Sequence, residues 1–310
     1  MSDTPDLRVS FCGVDFKNPV FTASGTFSAR ESGRFCDFSR LGAVVTKGVS
    51  ARPWFGNGTP RIAETASGML NAIGLENPGA DRFIAEELPF LRAYIGDSGT
   101  RVIANVAGHS AEEYCEAAEK LDGADVDLLE LNISCPNIRA GGLAFGADPR
   151  LAAELTRAVR RVVKKPLIVK LTPNVTDIAE VAKAVEDAGA DALSLINTLV
   201  GMRIDARRRA PLLANVTGGL SGPAIKPVAL YMVYRAARAV RLPVIGMGGI
   251  VNGEDAAEFL MAGASAAAVG TAALLDPRAP LSVCEGLATF MAENGYANTA
   301  ALREEWQYEL

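Results

Sequence analysis

The sequence predicts a closed (β/α)₈ barrel of the TIM type, with long active-site loops after strands 2, 4 and 6. Eight short runs are almost entirely apolar, as expected for parallel strands buried on both faces, and amphipathic segments of helical period separate them. A doubly wound sheet would usually carry G-x-G-x-x-G after its first strand, whereas Ser24-Gly25-Thr26-Phe27 stands there. The predicted strands are 19–24, 42–47, 101–106, 126–132, 166–172, 191–197, 243–249 and 265–270.

Helix boundaries are readable in three of the intervening segments. Segment 110–123 opens on serine, a favoured N-cap, and closes on glycine. Segments 176–189 and 253–264 begin with capping or acidic residues and end at or next to glycine. A hairpin-like piece at 7–18 precedes the first strand. Because no composition break or Pro/Ser-rich linker divides the chain, we expect one domain over residues 1–310.

Composition excludes several classes of function. The 310 residues carry a net charge of −5 with one histidine, so no basic surplus points to nucleic acid, and Arg207–Arg209 is interpreted as a solvated loop. No secretory signal is visible, and no apolar run reaches the ~18 residues of a membrane span. Five separated cysteines without a C-x-x-C pair argue against a metal site, an iron–sulfur cluster on this chain and a disulfide framework. We therefore expect a reducing, cytoplasmic setting.

Long insertions follow three of the predicted strands. They span 48–80, 135–149 and 198–224, whereas the other connections are short. In a barrel these loops sit on the C-terminal face, where active sites are built. We expect them to form a lid or floor for a substrate.

Glycines at the ends of the last two strands indicate a phosphate site. The segments 246-GMGGI-250 and 269-VGTA-272 would let backbone N–H groups approach an anion closely. Barrels commonly hold a phosphate in the loops after strands 7 and 8. Taken alone, the glycines of 246–250 could instead serve tight packing at a strand end. Because 269–272 carries a similar signal at the next strand end, a phosphate site is favoured.

Polar side chains at the other strand ends suggest a planar, polar ligand. Lys47 and Lys170 would be costly to bury unless each faces an anion or a polar ligand. Their possible roles are a Schiff-base nucleophile, a phosphate contact, a partner for a flavin ring, or a structural ion pair. Amides offer both donors and acceptors, which suits a heterocycle with alternating N–H and C=O groups. Four asparagines fall at or near this face, namely Asn71, Asn105, Asn132 and Asn197.

Cys135 is the candidate base or nucleophile. It stands in a polar loop at the exit of a buried strand, and a thiol of ordinary pKa ~8.5 is partly ionised at neutral pH. The other four cysteines fall within strand or helix patterns and are interpreted as small buried hydrophobes. His109 precedes a helix and has no Asp/His partner by spacing, so a Cys–His dyad is not expected.

Five motifs together resemble the dihydroorotate dehydrogenases, specifically the catalytic subunit of class 1B. The resemblance runs from about Val20 to Ala292, in order and at matching spacing. The motif 130-ELNISCPN-137 is shared with related flavin-dependent pyrimidine enzymes. The motifs 69-MLNAIGLENPG-79 and 217-TGGLSGPAIKPVAL-230 together are highly specific. The motifs are 130-ELNISCPN-137, 69-MLNAIGLENPG-79, 195-LINTLVGM-202, 217-TGGLSGPAIKPVAL-230 and 246-GMGGI-250.

The resemblance implies a barrel that binds one FMN per chain and oxidises (S)-dihydroorotate to orotate in de novo pyrimidine (UMP) biosynthesis. The thiolate of Cys135 would take a proton from C5 of the substrate while a hydride leaves C6 for flavin N5. A loop that closes over the ring would exclude water. Because a serine occupies this place in the membrane-associated class, Cys135 points to class 1.

The resemblance also implies roles for individual residues, which fall into a flavin group, a phosphate group and a substrate group. Lys170 would stabilise negative charge on the reduced ring, and Lys47 would reach both the flavin and the orotate carboxylate. The flavin group is Ser24, Lys47, Gly48, Asn105, Asn132 and Lys170, with Ile196 and Gly222 packing nearby. The phosphate group is Gly248, Gly249, Gly270 and Thr271. The substrate group is Lys47, Asn71, Ala72, Ile73, Gly74, Leu75, Asn132, Asn197 and Thr198.

In class 1B the electrons leave through a separate subunit with FAD and a [2Fe–2S] cluster, which passes them to NAD⁺ in a heterotetramer of two of each chain. One alternative is the class 1A enzyme, which uses fumarate and no partner. Another is a related flavin-dependent dihydropyrimidine dehydrogenase that acts on uracil or thymine. A barrel aldolase with Lys170 as Schiff base leaves Cys135 and the asparagines without a role. A non-catalytic phosphate-binding barrel is the remaining alternative.

Overall fold

The computed structural model describes residues 5–134, 139–140 and 143–304. Eight parallel strands close into a barrel in chain order, and β8 pairs with β1 through Ala267 and Val20. The predicted barrel is therefore confirmed, although most predicted strands run one or two residues too far, into the turns at the rim. The strands are β1 Val20–Thr22, β2 Ala43–Val45, β3 Arg101–Val106, β4 Leu128–Asn132, β5 Leu167–Lys170, β6 Ala192–Leu195, β7 Val244–Met247 and β8 Ala266–Val269.

Helices cover the outside of the strands, as the amphipathic segments predict. The predicted cap at Ser110 is present, since its side chain accepts from the backbone N–H of Glu113. The helix predicted from residue 253 is capped one residue earlier, by Asn252, which forms a capping box with Asp255. No helix in the described ranges is long and apolar enough to cross a membrane. The longer helices are Leu88–Ile95, Ala111–Asp122, Pro149–Val162, Ile178–Asp187, Lys226–Ala239, Gly253–Met261 and Ala279–Glu293, with shorter ones at Ala80–Arg82, Thr271–Leu275 and Thr299–Glu304.

Alternation along each strand separates two apolar regions. Val20 and Val44 face the layer between the strands and the helices, whereas Phe21 and Val45 face the barrel interior. The predicted N-terminal hairpin, Val9–Phe11 with Val14–Phe16, contributes further aromatic side chains to the interior cluster. Phe16 lies 5.0 Å from Phe21, measured between ring centroids. These apolar side chains fill the N-terminal end of the barrel.

Further along the central strands, the inward positions become polar. Ile103, Leu128, Ile168 and Ala192 belong to the apolar interior. Because side chains alternate with period 2, the residue two places on in each strand points the same way. Those residues are Asn105, Glu130, Lys170 and Ser194, all of which are buried. The barrel therefore has a polar layer near its C-terminal end.

The insertions after β2 and β6 combine into one antiparallel sheet of four strands. Its strands are ordered Leu199–Met202, Thr217–Ser221, Gly68–Asn71 and Ile62–Thr65, with Gly219 opposite Asn71. We call these four strands the lid sheet. The insertion after β4 lies partly outside the described residues.

Candidate active site

A cavity of about 560 Å³ lies between the C-terminal strand ends and the lid sheet. Most of the predicted site residues line it. Gly48 and Asn105 do not: Asn105 is fully buried behind the wall, and a Cβ added to Gly48 would lie 3.1 Å from Asn105 Oδ1. Cys135 lies outside the described residues. The lining residues among those predicted are Ser24, Lys47, Asn71, Ala72, Ile73, Gly74, Leu75, Asn132, Lys170, Ile196, Asn197, Thr198, Gly222, Gly248, Gly249, Gly270 and Thr271.

Lys170 is held in a buried charge pair. It ends β5, is 3% exposed, and its Nζ donates to Ser24 Oγ at 2.9 Å. Glu130, which is 1% exposed, places Oε1 3.7 Å from Lys170 Nζ. Glu130 also accepts from Asn105 Nδ2 at 2.6 Å and from Ser194 Oγ at 2.8 Å. A buried carboxylate with these partners fixes one positive charge on the cavity wall.

Lys47 differs from Lys170 because it lacks such a partner. No hydrogen bond or ion pair to its Nζ forms within residues 5–134, 139–140 and 143–304, and the side chain lines the cavity. Burial lowers the pKa of Lys47, while the charge of Glu76 opposes this by raising it. Glu76 is already paired with Arg61 at 2.5 Å. Lys47 is thus a partly desolvated cation that faces space for an anion.

The amides near the cavity are connected through Ser134. Asn197 Nδ2 donates to Ser134 Oγ at 2.6 Å, and Ser134 Oγ donates to Asn132 Oδ1 at 2.6 Å. Asn132 Nδ2 in turn donates to Asn105 Oδ1 at 3.3 Å. The hydroxyl of Tyr114 holds the backbone carbonyl of Asn132 at 2.6 Å. Three of the four predicted asparagines therefore form one hydrogen-bonded row.

Glycines shape the end of the cavity near β7 and β8. Gly248 and Gly249 have φ of +129° and +80°, a region that favours glycine. A Cβ at Gly249 would lie 2.7 Å from the Cβ of Lys226 and 3.0 Å from the carbonyl oxygen of Gly222. Nearby, Thr271 Oγ1 donates to Ser221 Oγ at 2.8 Å. This end is a close-fitting backbone cradle, as an anion requires.

Sequence reasoning missed four polar residues that support the site: Glu130, Ser134, Ser194 and Ser221. A signal existed for two of them. Glu130 and Ser194 interrupt runs that are otherwise apolar, and a polar group in a buried strand needs a partner. Ser134 follows β4 in a loop, and Ser221 ends a lid-sheet strand. Polar residues are ordinary at both places, so only the contacts reveal these two serines.

None of the other four cysteines lines the cavity. Cys36 and Cys284 are buried as expected, whereas Cys12 and Cys115 are only partly buried, and two of the four are not where the patterns placed them. Cys12 lies in the hairpin turn and Cys36 in a loop, because short 3₁₀ turns replace regular structure around 32–40. Burial raises the pKa of Cys12 to about 12, and that of Cys36 and of Cys284 to about 11. Burial also raises the pKa of Cys115. These thiols are protonated at neutral pH and therefore weak nucleophiles.

His109 contacts an aromatic ring and a carboxylate, not a thiol, in the described part of the chain. Its ring centroid lies 3.8 Å from that of Trp54, and its Nδ1 lies 3.3 Å from Glu113 Oε2. It is not among the residues that line the cavity. These contacts give His109 a surface packing role.

Fold and site together define an α/β-barrel protein with a cationic, amide-lined cavity and a glycine cradle at one end. The chain belongs to the dihydroorotate dehydrogenase family, whose model matches residues 6–291. A relative from Alkaliphilus metalliredigens is 58% identical over 96% of this chain and 98% of its own length. Relatives from Geotalea uraniireducens and Geobacter sulfurreducens are 57% and 54% identical over 96% and 95% of this chain, and 97% and 96% of their own lengths. All three are named dihydroorotate dehydrogenase B (NAD(+)), catalytic subunit, which confirms the resemblance found in the sequence motifs.

Proposed function

We propose that this chain is the catalytic subunit of a class 1B dihydroorotate dehydrogenase, which oxidises (S)-dihydroorotate to orotate in pyrimidine biosynthesis. The observation that carries the proposal is that one cavity combines Lys47, a cation with no partner among the described residues, with an amide row and a glycine cradle. Such a cavity suits two ligands, each with an anionic group. The names of the relatives supply the reaction and the NAD⁺ link.

The residues present fit one FMN per chain. The cradle of Gly248 and Gly249, with Gly270 and Thr271 beside it, would hold the phosphate through backbone N–H groups. Lys170, with Ser24, Asn132, Ile196 and Gly222, would surround the ring. Gly48 and Asn105 would act from behind the wall. A volume of about 560 Å³ is in the range of cofactor sites.

The dihydroorotate carboxylate would pair with Lys47. The loop Asn71–Leu75 lies beside this lysine on the cavity wall, and it would clasp the substrate with Asn132, Asn197 and Thr198. A positive charge on Lys47 is penalised by burial in the free protein, and a carboxylate would offset that penalty. Dihydrouracil, which lacks the carboxylate, should therefore bind poorly.

Cys135 would act as the general base and take the proton from C5 of the substrate. FMN, when bound, supplies the acceptor for the hydride that leaves C6. The proton and the hydride together make the two-electron oxidation that produces the C5=C6 double bond of orotate. Lys170 keeps a positive charge on the wall, held there by Glu130. The lid sheet, which lines the cavity, would limit the access of water to the reacting atoms.

The electrons would leave through a separate subunit that carries FAD and a [2Fe–2S] cluster and reduces NAD⁺. The described residues contain no group of three or more His, Cys, Asp and Glu side chains placed to hold a metal ion. A heterotetramer of two chains of each kind, in the cytoplasm, completes the proposal.

The first test is anaerobic. The FMN-loaded chain should lose its yellow flavin band on addition of dihydroorotate and keep it on addition of dihydrouracil. NAD⁺ should restore the colour only when the partner subunit is present. Bleaching by dihydrouracil alone would favour the related pyrimidine enzyme, and rapid reoxidation of the lone chain by fumarate would favour class 1A.

Replacing Gly249 with alanine should weaken FMN binding about tenfold or more, because a strained backbone costs of order 1–3 kcal/mol and the added Cβ meets Lys226. The matched control is Gly270→Ala, since φ at Gly270 is −111° and the nearest atom to its added Cβ is 3.4 Å away. Both variants keep the backbone N–H. Dissociation constants for FMN, from titration of the FMN-free protein, test this. Equal affinities in the two variants would contradict the cradle.

Replacing Lys47 with methionine should weaken orotate binding by roughly 30-fold or more, since loss of one partner of a buried charge pair costs about 2 kcal/mol or more.

The Lys47→Met variant should also unfold at a higher temperature than the wild-type protein at pH 7. Because burial lowers the pKa of Lys47, the folded state holds this proton less tightly than the unfolded chain does. The penalty is fully present below the folded-state pKa of Lys47 and is lost as the pH rises toward the ordinary pKa of 10.5. Thermal melts at pH 7 and pH 10 check the sign, with the exposed Lys183→Met as control.

A further inference from the structure

The loop 248–252, which leads from the glycine cradle into the next helix, is held by the side chain of Asp255. Asp255 Oδ2 accepts from the backbone N–H of Val251 at 2.8 Å and from that of Asn252 at 3.1 Å. Within the described ranges, neither N–H group has another acceptor. At its other end the loop is fixed by strand β7, which ends at Met247. Asp255 is therefore the second attachment of the loop.

Asp255 is itself held by two helices. It stands in the first turn of the helix that begins at Gly253, and it is 5% exposed. The start of this helix packs closely on a neighbouring helix, since a Cβ added to Gly253 would lie 2.0 Å from the carbonyl carbon of Gly286. Asp255 Oδ1, the oxygen that does not bond the loop, accepts from Lys226 Nζ at 2.6 Å. The loop is thus fastened to a rigid support.

Lys226 neutralises the carboxylate of Asp255 next to the cradle. Its Nζ lies 2.6 Å from Asp255 Oδ1 and 2.8 Å from Glu258 Oε2. Burial by itself would lower the pKa of Lys226, but the bonds to these two carboxylates outweigh burial and raise that pKa. Lys226 is not among the residues that line the cavity. Its charge therefore serves the two carboxylates, and the cradle offers backbone N–H groups without a bare negative charge beside them.

We propose that Asp255 is a positioning residue for the phosphate site: by holding the N–H groups of Val251 and Asn252, it keeps Gly248 and Gly249 in the conformation that admits a phosphate. This inference rests on the proposed function, and it names a residue outside the cavity that determines the affinity for the phosphate of FMN. The two glycines have φ of +129° and +80°, and glycine also adopts negative φ readily. A restraint from outside the loop removes the cost of ordering them when the ligand binds.

The test compares the dissociation constants of FMN and of riboflavin, which has the same ring system but no phosphate, for the FMN-free protein. The wild-type protein should bind FMN more tightly than riboflavin. Asp255→Ala should narrow that ratio about tenfold or more by weakening FMN alone, because two hydrogen bonds to a charged group are lost. Asp255→Asn keeps the shape of the side chain and should narrow the ratio by a smaller factor, since neutral hydrogen bonds are about half as strong.

Two variants serve as matched controls. Glu258→Gln removes the charge of the other partner of Lys226 and touches neither N–H group of the loop. Ser110→Ala removes the N-cap of a different helix and so imposes a comparable loss of helix stability. Both variants should keep the wild-type ratio, because a general loss of stability weakens FMN and riboflavin together.

Wild-type ratios in the Asp255 variants would overturn the inference, and the proposed function would stand if dihydroorotate still bleached the FMN-loaded chain. A wild-type protein that bound riboflavin as tightly as FMN would also overturn the inference, since the cradle would then hold no phosphate. A wild-type protein that bound neither flavin would overturn both the inference and the proposed function.

Discussion

Replacing Cys135 with serine is expected to slow flavin reduction by dihydroorotate at least ~100-fold at neutral pH, the lower end of what general acid–base catalysis contributes. A serine hydroxyl is scarcely ionised at this pH, whereas a thiol of ordinary pKa ~8.5 is partly ionised. FMN should remain bound, because the glycine cradle and Lys170 are unchanged. Anaerobic stopped-flow of the flavin band across pH 6–10 measures the effect.

Cys115→Ser is the control for this variant, since Cys115 lies in the helix Ala111–Asp122 and does not line the cavity. It should reduce flavin at the wild-type rate. A Cys135→Ser protein that matches the wild-type rate over the whole pH range would show that Cys135 is not the base.

Replacing Lys170 with methionine is expected to lower the free energy of unfolding of the FMN-free protein by about 3 kcal/mol, because removing one partner leaves a buried charge uncompensated. Glu130, at 1% exposure, would keep its bonds from Asn105 and Ser194 but lose its cation. Urea denaturation at pH 7 measures the loss. The FMN-free protein is used because bound FMN would add its own binding free energy to the measured stability.

The double variant Lys170→Met/Glu130→Gln should recover a large part of that stability, because it removes both charges together. Lys183→Met, on an exposed helix face, should change stability little. If Lys170→Met were no less stable than Lys183→Met, the pair with Glu130 would have no role in holding the fold.

The strands and helices could be predicted from local pattern because each depends on neighbours in the sequence. Short runs that are apolar throughout predict β1 to β8, because the strands of a parallel sheet are buried on both faces. The cap at Ser110 and the capping box at Asn252 follow from side chains that bond the backbone within three residues. The predicted strands were too long because hydrogen bonding between neighbouring strands stops where the chain turns at the rim of the barrel. The local sequence pattern does not show where that turn begins.

Residues at strand ends were predictable as site candidates because parallel strands in a barrel finish on the same face. Lys47, Lys170 and Asn132 were placed in this way, and all line the cavity. The loop with Cys135 lies outside the described residues, so its role stays a prediction. The roles given to the other site residues are likewise proposals.

What the sequence determined by itself is the barrel, its caps and the set of polar groups at the strand ends, since periodicity and order along the chain suffice for these. Tertiary structure alone decided which of those groups meet. Glu130 reads as one charge in an apolar strand, and only closure of the barrel brings it to Lys170, Asn105 and Ser194. The sequence predicts the insertions only as loops, and the lid sheet forms because Thr217–Ser221 of one insertion pairs with Gly68–Asn71 of the other. The physical reason is that hydrogen bonds and ion pairs depend on distances in space, which a linear pattern does not contain.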